Sequence, residues 1–359
     1  MGRAESLAIA LVLALNVLAI ISFERGALHV PALPLFVVSL AVVSWAIGRS
    51  SEVVVDGLED FARNLGFPSY SMGVLSSLAS TIPELTMTLM AVAAGTPEMV
   101  EVAVLASLSS VGMGILLLSS VTFILSLRTG KASIEVPREV LKEELNAVVF
   151  TLSAYLVLSL LALAHLGLRD EASFMPRGVG FILTTVYISY ILRLFFLSGN
   201  KGKGEVSAEK RVSKGLSTVF RLLLGLCGIL IAGWAIVSLT ETLISRTGFQ
   251  AVHAALALAA VGTLPEHGVA IVCALKGKID LALGNSIGGL SQIALLVVGL
   301  IAFLAPVPID AYVTTQFAVT SASMLMLKFF VRDDGRIDIG EALMMVALQI
   351  LAFDVLLSA

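Results

Sequence analysis

Eleven apolar stretches, each long enough to cross a bilayer as a helix, occupy most of this chain. They lie near 7–23, 31–62, 69–93, 97–125, 145–166, 177–198, 217–245, 250–275, 279–303, 306–330 and 339–357. A hydrocarbon core about 30 Å thick is spanned by about 20 helical residues. No water is available there, so each segment must satisfy its own backbone, and a helix does so. The 359 residues are 58% hydrophobic and only 14% charged, far too apolar to be covered in a soluble domain of this length. The expected fold is all-α, a polytopic membrane protein of about eleven transmembrane helices.

The loops are short, and the largest hydrophilic breaks are Arg128–Glu144 and Asn200–Lys214. Their basic residues fall mainly on one side. Arg128, Lys131, Arg138, Lys201, Lys210 and Lys276 share that side, against Arg25, Arg169, Arg177 and Arg246 on the other. This bias predicts a cytoplasmic N-terminus and an external C-terminus, in the cell (plasma) membrane. The first stretch lacks a small-residue cleavage site and is expected to be a retained span. A net charge of −3 and scattered lysines and arginines give no nucleic-acid face. Cys227 and Cys273 stand far apart and form no disulfide or zinc pattern.

The chain partly repeats itself at an offset of 182 residues. Thr81, Pro83 and Glu84 fall on Thr263, Pro265 and Glu266; Gly95 falls on Gly277, and Ser109 on Ser291. The copies lie five spans apart, an odd number, so the second is inverted in the membrane. Inverted repeats that meet near the midplane are a transporter pattern. The expected organisation is an extra N-terminal helix (1–30), a first five-helix repeat (31–199), a cytoplasmic loop (200–214) and a second five-helix repeat (215–359).

Each copy carries one expensive phrase, "TIPELTM" and "TLPEHGV". Proline removes a backbone donor and is expected to break the helix at Pro83 and Pro265. Glu84 and Glu266 follow directly, about half-way along their spans. Thr81 and Thr263, three residues earlier, share the glutamate's helical face. Carboxylate, hydroxyl and freed carbonyls are hard oxygen ligands, and Ca2+ takes six to eight of these. A lone membrane proline is often only a kink, and a buried glutamate often pairs with a lysine. No lysine or arginine falls in these two spans, which leaves an ion or proton path as the better reading. The following spans add Asn285 and Gln292 in the second copy, and Ser107 and Ser110 in the first. Membrane serines also bond backward to a carbonyl, so both roles stay open for the latter two. His267 is a candidate proton relay or a polar core residue. "RDDGRIDIGE" is no EF-hand, because its first and third ligand positions would be Phe330 and Arg332.

These segments resemble the cation/calcium exchanger superfamily, with its two inverted α-repeats. "STIPELTMTLMAVAAG" and "GTLPEHGVAIVCALKGKIDLALGNSIGGLSQIALL" are similar to its repeat cores. "PEHGVAI" and "KGKIDLALG" look like the cation/proton branch, whereas "GTLPE" and Asn285 look like the sodium/calcium branch. Val111 and Ile293 stand where sodium/calcium exchangers carry a polar or acidic residue. Gly288-Gly289 replaces the family's Gly-Ser.

The resemblance implies a secondary antiporter, not an enzyme, that exports Ca2+ or a related divalent cation for H+ by alternating access. Glu84 and Glu266 would form its midplane site. No cofactor is expected beyond the transported ions, and the lipid bilayer is a further partner. Na+ in place of H+ is the alternative within this class. A cation channel and a non-transporting ion-binding sensor are alternatives of other classes. The second copy is better equipped with oxygen ligands than the first, so the site should be lopsided.

Overall fold

The computed structural model describes residues 3–28, 30–64, 69–168, 173–199 and 215–358. The expected cytoplasmic loop 200–214 lies outside the described residues. The chain runs α1 (Arg3–Glu24), α2 (Ala32–Asn64), α3 (Ser69–Ala94), α4 (Pro97–Thr129), β1 (Ser133–Glu135), α5 (Arg138–Leu168), β2 (Ser173–Met175) and α6 (Arg177–Gly199). It continues with α7 (Gly215–Thr247), α8 (Ala251–Leu275), α9 (Ile279–Gln292), a π-helical turn (Ile293–Val297), α10 (Val298–Leu304), β3 (Val307–Ile309), α11 (Ala311–Asp334), β4 (Arg336–Asp338) and α12 (Ile339–Ser358). Since α9 and α10 form one rod, eleven rods match the eleven apolar stretches. Eight of the described helices are long and apolar enough to cross a membrane by composition alone, with Ile9–Glu24 a shorter apolar helix. The chain is an all-α polytopic membrane protein.

Local sequence sets the helix ends. Gly95 and Gly277, equivalent under the repeat, adopt φ of 79° and 72° beyond the ends of α3 and α8, a left-handed conformation that favours glycine. The Thr96 side chain accepts from the Met99 backbone N–H at 3.3 Å, and Pro97 opens α4 where no donor is needed. Asp310 caps α11 in the same way, accepting from Val313 N–H at 2.7 Å.

The burial pattern reverses that of a soluble protein. Leu11, Leu156, Leu160, Leu223 and Ile350 are exposed, while Ser107, Ser110, Thr263, Gln292, Gln316 and Gln349 are buried. Lipid covers leucine at no cost, whereas polar groups must find partners inside the protein. α4 is the central rod, buried along most of Met99–Ser126, as its many small side chains allow.

The packing is pseudo-symmetric. α2 lies on α7, α3 on α8, and α5 on α11; α6 lies on α10 as α12 lies on α4. Gly180 permits the α6–α10 crossing, because a Cβ there would collide with the backbone of Gly299 and Phe303. Two short antiparallel pairs, β1 with β4 and β2 with β3, tie the connections of one half to those of the other.

The helix breaks expected at Pro83 and Pro265 are absent. α3 and α8 run through both prolines. Neighbouring helices pack against both segments, and such packing tolerates a missing backbone bond. The interruption lies elsewhere, in the π-helical turn directly after Gln292. There Tyr155 of α5, fully buried, donates its hydroxyl to the Ala294 carbonyl at 2.8 Å. Its ring packs edge-on to Phe317, with centroids 5.6 Å apart.

Candidate ion site where the repeats cross

Glu84 and Glu266 sit on α3 and α8 at equivalent positions, 2% and 3% exposed. Each has one carboxylate oxygen, Oε1, buried with no hydrogen-bond partner among the described residues. Gly262, one turn before Glu266 on α8, packs against the Cβ of Glu84, so the two glutamates stand on contacting turns of α3 and α8. A buried carboxylate without a partner is costly, and a cation or a proton is what would neutralise it.

Glycines make the crossing possible. A Cβ on Gly262 would stand 3.0 Å from Met87 Cε and 3.3 Å from Glu84 Cβ. Gly262 therefore lets α8 lie directly against the Glu84 backbone. On the other side, a Cβ on Gly289 would collide with Glu266 Oε1. Its neighbour Gly288 faces Glu144 of α5, with a Cβ position 3.3 Å from Glu144 Oε1. The Gly-Gly pair thus leaves room for a carboxylate at each of its two residues.

The hydroxyls divide into two kinds. Thr81 donates to the Ser77 carbonyl at 3.1 Å, Thr263 to the Ala259 carbonyl at 3.0 Å, and Ser107 to the Ala103 carbonyl at 3.0 Å. Their protons are committed to their own helices, which leaves oxygen lone pairs for other contacts. Ser110 differs, because its buried Oγ is not bonded to its own helix and lies beside the Glu84 carboxylate. It lines, with Glu84, Thr88 and Ala106, a cavity of about 10 Å³, room for about one water-sized particle.

The amides are placed by the second repeat. Asn285 Nδ2 lies 3.4 Å from the Glu266 carbonyl. Gln292 Oε1 accepts from Ser77 Oγ at 3.3 Å, which links α9 to α3 across the repeats. His267 does not hydrogen-bond to either glutamate among the described residues. Its ring nitrogens face backbone carbonyls, Nδ1 that of Thr263 at 2.6 Å and Nε2 that of Met113 at 3.1 Å. The ring thereby braces α8 against α4.

Among the described residues, no three His, Cys, Asp or Glu side chains converge as a metal cluster. A cation held here would take two carboxylates and complete its shell with hydroxyl, amide and carbonyl oxygens. That donor set suits a hard ion such as Ca2+ and not a soft metal. Ser77, Gly262 and Glu144 are the residues missed in the sequence. Ser77 lies one turn before Thr81 and could have been found by extending the polar face of α3. Glu144 was hidden because it closes a stretch that reads as a hydrophilic connection.

The chain matches the family described as sodium/calcium exchanger protein over residues 31–196 and 217–353. The chain belongs to that family. Both matched segments contain one of the two glutamates, and the family is one of membrane exchangers. The chain is also 36% identical over 111 residues to a putative antiporter, CaxA, of Alkalimonas amylolytica, across 29% of this chain and 35% of that protein. It therefore spans about a third of that curated relative's length.

Two kinds of solved structure share the fold. The H+/Ca2+ exchanger CAX superposes with a TM-score of 0.71 at 19% identity, over 99% of this chain and 89% of that one. The sodium-calcium exchanger NCX_Mj superposes with a TM-score of 0.61 at 18% identity, over 89% and 97%.

Proposed function

We propose that this exchanger-family chain moves Ca2+, or a related divalent cation, in exchange for H+ through one midplane site shared by Glu84 and Glu266. One observation carries the reading. Two buried carboxylates, equivalent under an inverted repeat, stand on the packed helices α3 and α8, and each holds one oxygen without a hydrogen-bond partner among the described residues. Two carboxylates neutralise a divalent ion, and two protons restore the same neutrality when it leaves. Ca2+ and H+ would then compete for one place, with alternating access exposing it to each side in turn. The proposed orientation puts the N-terminus in the cytoplasm, as the basic loops favour, and export would then use an inward proton gradient.

Support for H+ comes from the apolar side chains around the site. Val111 and Ile293 are buried and add no oxygen ligand, so sites for several sodium ions lack donors there. Na+ exchange is the second reading, favoured by the likeness to NCX_Mj over 89% of the chain. Family membership favours exchange over a channel or a sensor.

The test is flux in proteoliposomes of the full chain. An imposed pH gradient should drive Ca2+ uptake that a protonophore abolishes, with no response to a Na+ gradient. Uptake that follows Na+ and ignores pH would establish the second reading instead. A steady single-channel conductance would overturn both.

A further inference from the structure

A second cavity, of about 810 Å³, lies between α1 and the α2–α7 pair, with Met90 of α3 in its wall. Ala10 and Ala14 of α1, Val53 of α2, and Gly228, Ile231 and Trp234 of α7 line it. It exists because α1 is fastened mainly along its later part. Asn16 donates to Ser39 of α2 at 3.0 Å. Arg246 of α7 donates to the Phe23 and Glu24 carbonyls at 3.3 and 2.7 Å, and Ser238 donates to the Glu24 side chain at 2.5 Å. The alanines of α1 leave the space beside the earlier turns unfilled, while Gly225 and Gly228 of α7 pack closely against Ser50 and Val54 of α2.

The occupant follows from depth, chemistry and one charge. Along α7 the lining runs from Leu224 to Trp234, about 15 Å at 1.5 Å per residue. That is about half of a 30 Å hydrocarbon core, the depth of one leaflet. Among the described residues the walls carry no charged side chain, and a space this apolar takes up apolar molecules in place of water. One turn before Leu224 and Gly225, on the same face of α7, stands Arg221. Its side chain is 51% exposed, and its pair with Asp60 is long, at 3.7 Å. A guanidinium has five donors, so Arg221 retains several for a phosphate beside that pair. Arg49 and Glu52, further along α2, pair with each other at 2.6 Å.

We propose that this cavity is a phospholipid site, with an acyl chain between α1 and α7 and the lipid phosphate on Arg221. α1 would then be held to the bundle in part by a bound lipid. Its lining includes neither glutamate, and its test reads lipid binding and not ion flux.

The chain has two tryptophans, and Trp234 lines the cavity while Trp45 does not. Trp45→Phe leaves Trp234 as the only reporter. The delipidated full chain in detergent would be titrated with phosphatidylglycerol brominated on its acyl chains, and separately with brominated diacylglycerol, which lacks the phosphate. The site predicts saturable quenching near one phosphatidylglycerol per protein, and at least a tenfold higher requirement for diacylglycerol. Arg221→Gln should raise the phospholipid requirement to the diacylglycerol level, and Arg221→Lys should restore part of the difference. Ala14→Phe, which fills the cavity from α1, should remove quenching by both. Equal quenching by the two lipids in the parent protein, or no effect of Arg221→Gln, would overturn the proposal and leave only ordinary solvation by apolar chains.

Discussion

The two repeats place a glutamate at the same point and then equip it differently. After Glu84 comes α4, one unbroken helix whose Ser107 is bonded to its own backbone, with Ser110 left beside the carboxylate. After Glu266 comes a rod that carries two adjacent glycines, Asn285 and Gln292, and then a π-helical turn held by Tyr155. The position equivalent to Gln292 is Ser110, and that equivalent to Gly289 is Ser107. Thus one half offers a close-packed wall, and the other offers space and amide oxygens. π-helical turns inside α-helices often mark functional sites, and this one gives the second half the irregular backbone. An inverted pair therefore delivers two equal charges into an unequal environment.

The largest expected effect treats the halves as equals. Glu84→Gln and Glu266→Gln should each reduce Ca2+ flux about 100-fold or more, since stranding one member of a buried charge set costs about 3–5 kcal/mol. Retained flux in either variant would show that one half suffices. The next effect separates the halves. Gly289→Ala places a methyl group on Glu266 Oε1 and should raise the KM for Ca2+ at least about tenfold, whereas Ser107→Ala at the equivalent position should leave KM nearly unchanged. The two numbers can be read from one set of proteoliposome assays, and equal shifts would erase the asymmetry.

Tyr155→Phe leaves the Ala294 carbonyl without its donor. It should lower unfolding stability by about 1–3 kcal/mol and raise the KM for Ca2+, because the turn it holds follows Gln292. A stability loss with unchanged KM would remove the π-helical turn from the transport account. The smallest effect is Asp310→Ala, which loses the cap of α11 and about 0.5–2 kcal/mol. Thermal unfolding should detect it, with Ca2+ affinity unaltered.

The spans are legible in the sequence because lipid imposes one rule on every turn of helix, and a run of about 20 apolar residues is that rule written out. Glu84 and Glu266 are legible for the opposite reason: a carboxylate in such a run is too costly to be incidental. Pro83 and Pro265 mislead, because the cost of a missing N–H depends on neighbours that sequence does not display. The π-helical turn is invisible for a related reason. "IALLV" has no residue that favours it, and the hydroxyl that stabilises it comes from Tyr155, far away in the chain. Gly262 and Gly289 look like packing glycines until their partners, Glu84 and Glu266, are known. The hydroxyls of Ser107 and Ser110 are chemically alike in sequence, and only the structure shows which one is bonded to its own helix.

The central claim is that both glutamates belong to one site where Ca2+ and H+ exclude each other. Its most direct measurement is proton release on Ca2+ binding by the full chain in weakly buffered detergent solution. The account predicts that the parent protein releases protons as Ca2+ binds, and that Glu84→Gln and Glu266→Gln each abolish both the binding and the release. Full Ca2+ binding with unchanged proton release in either variant would contradict it.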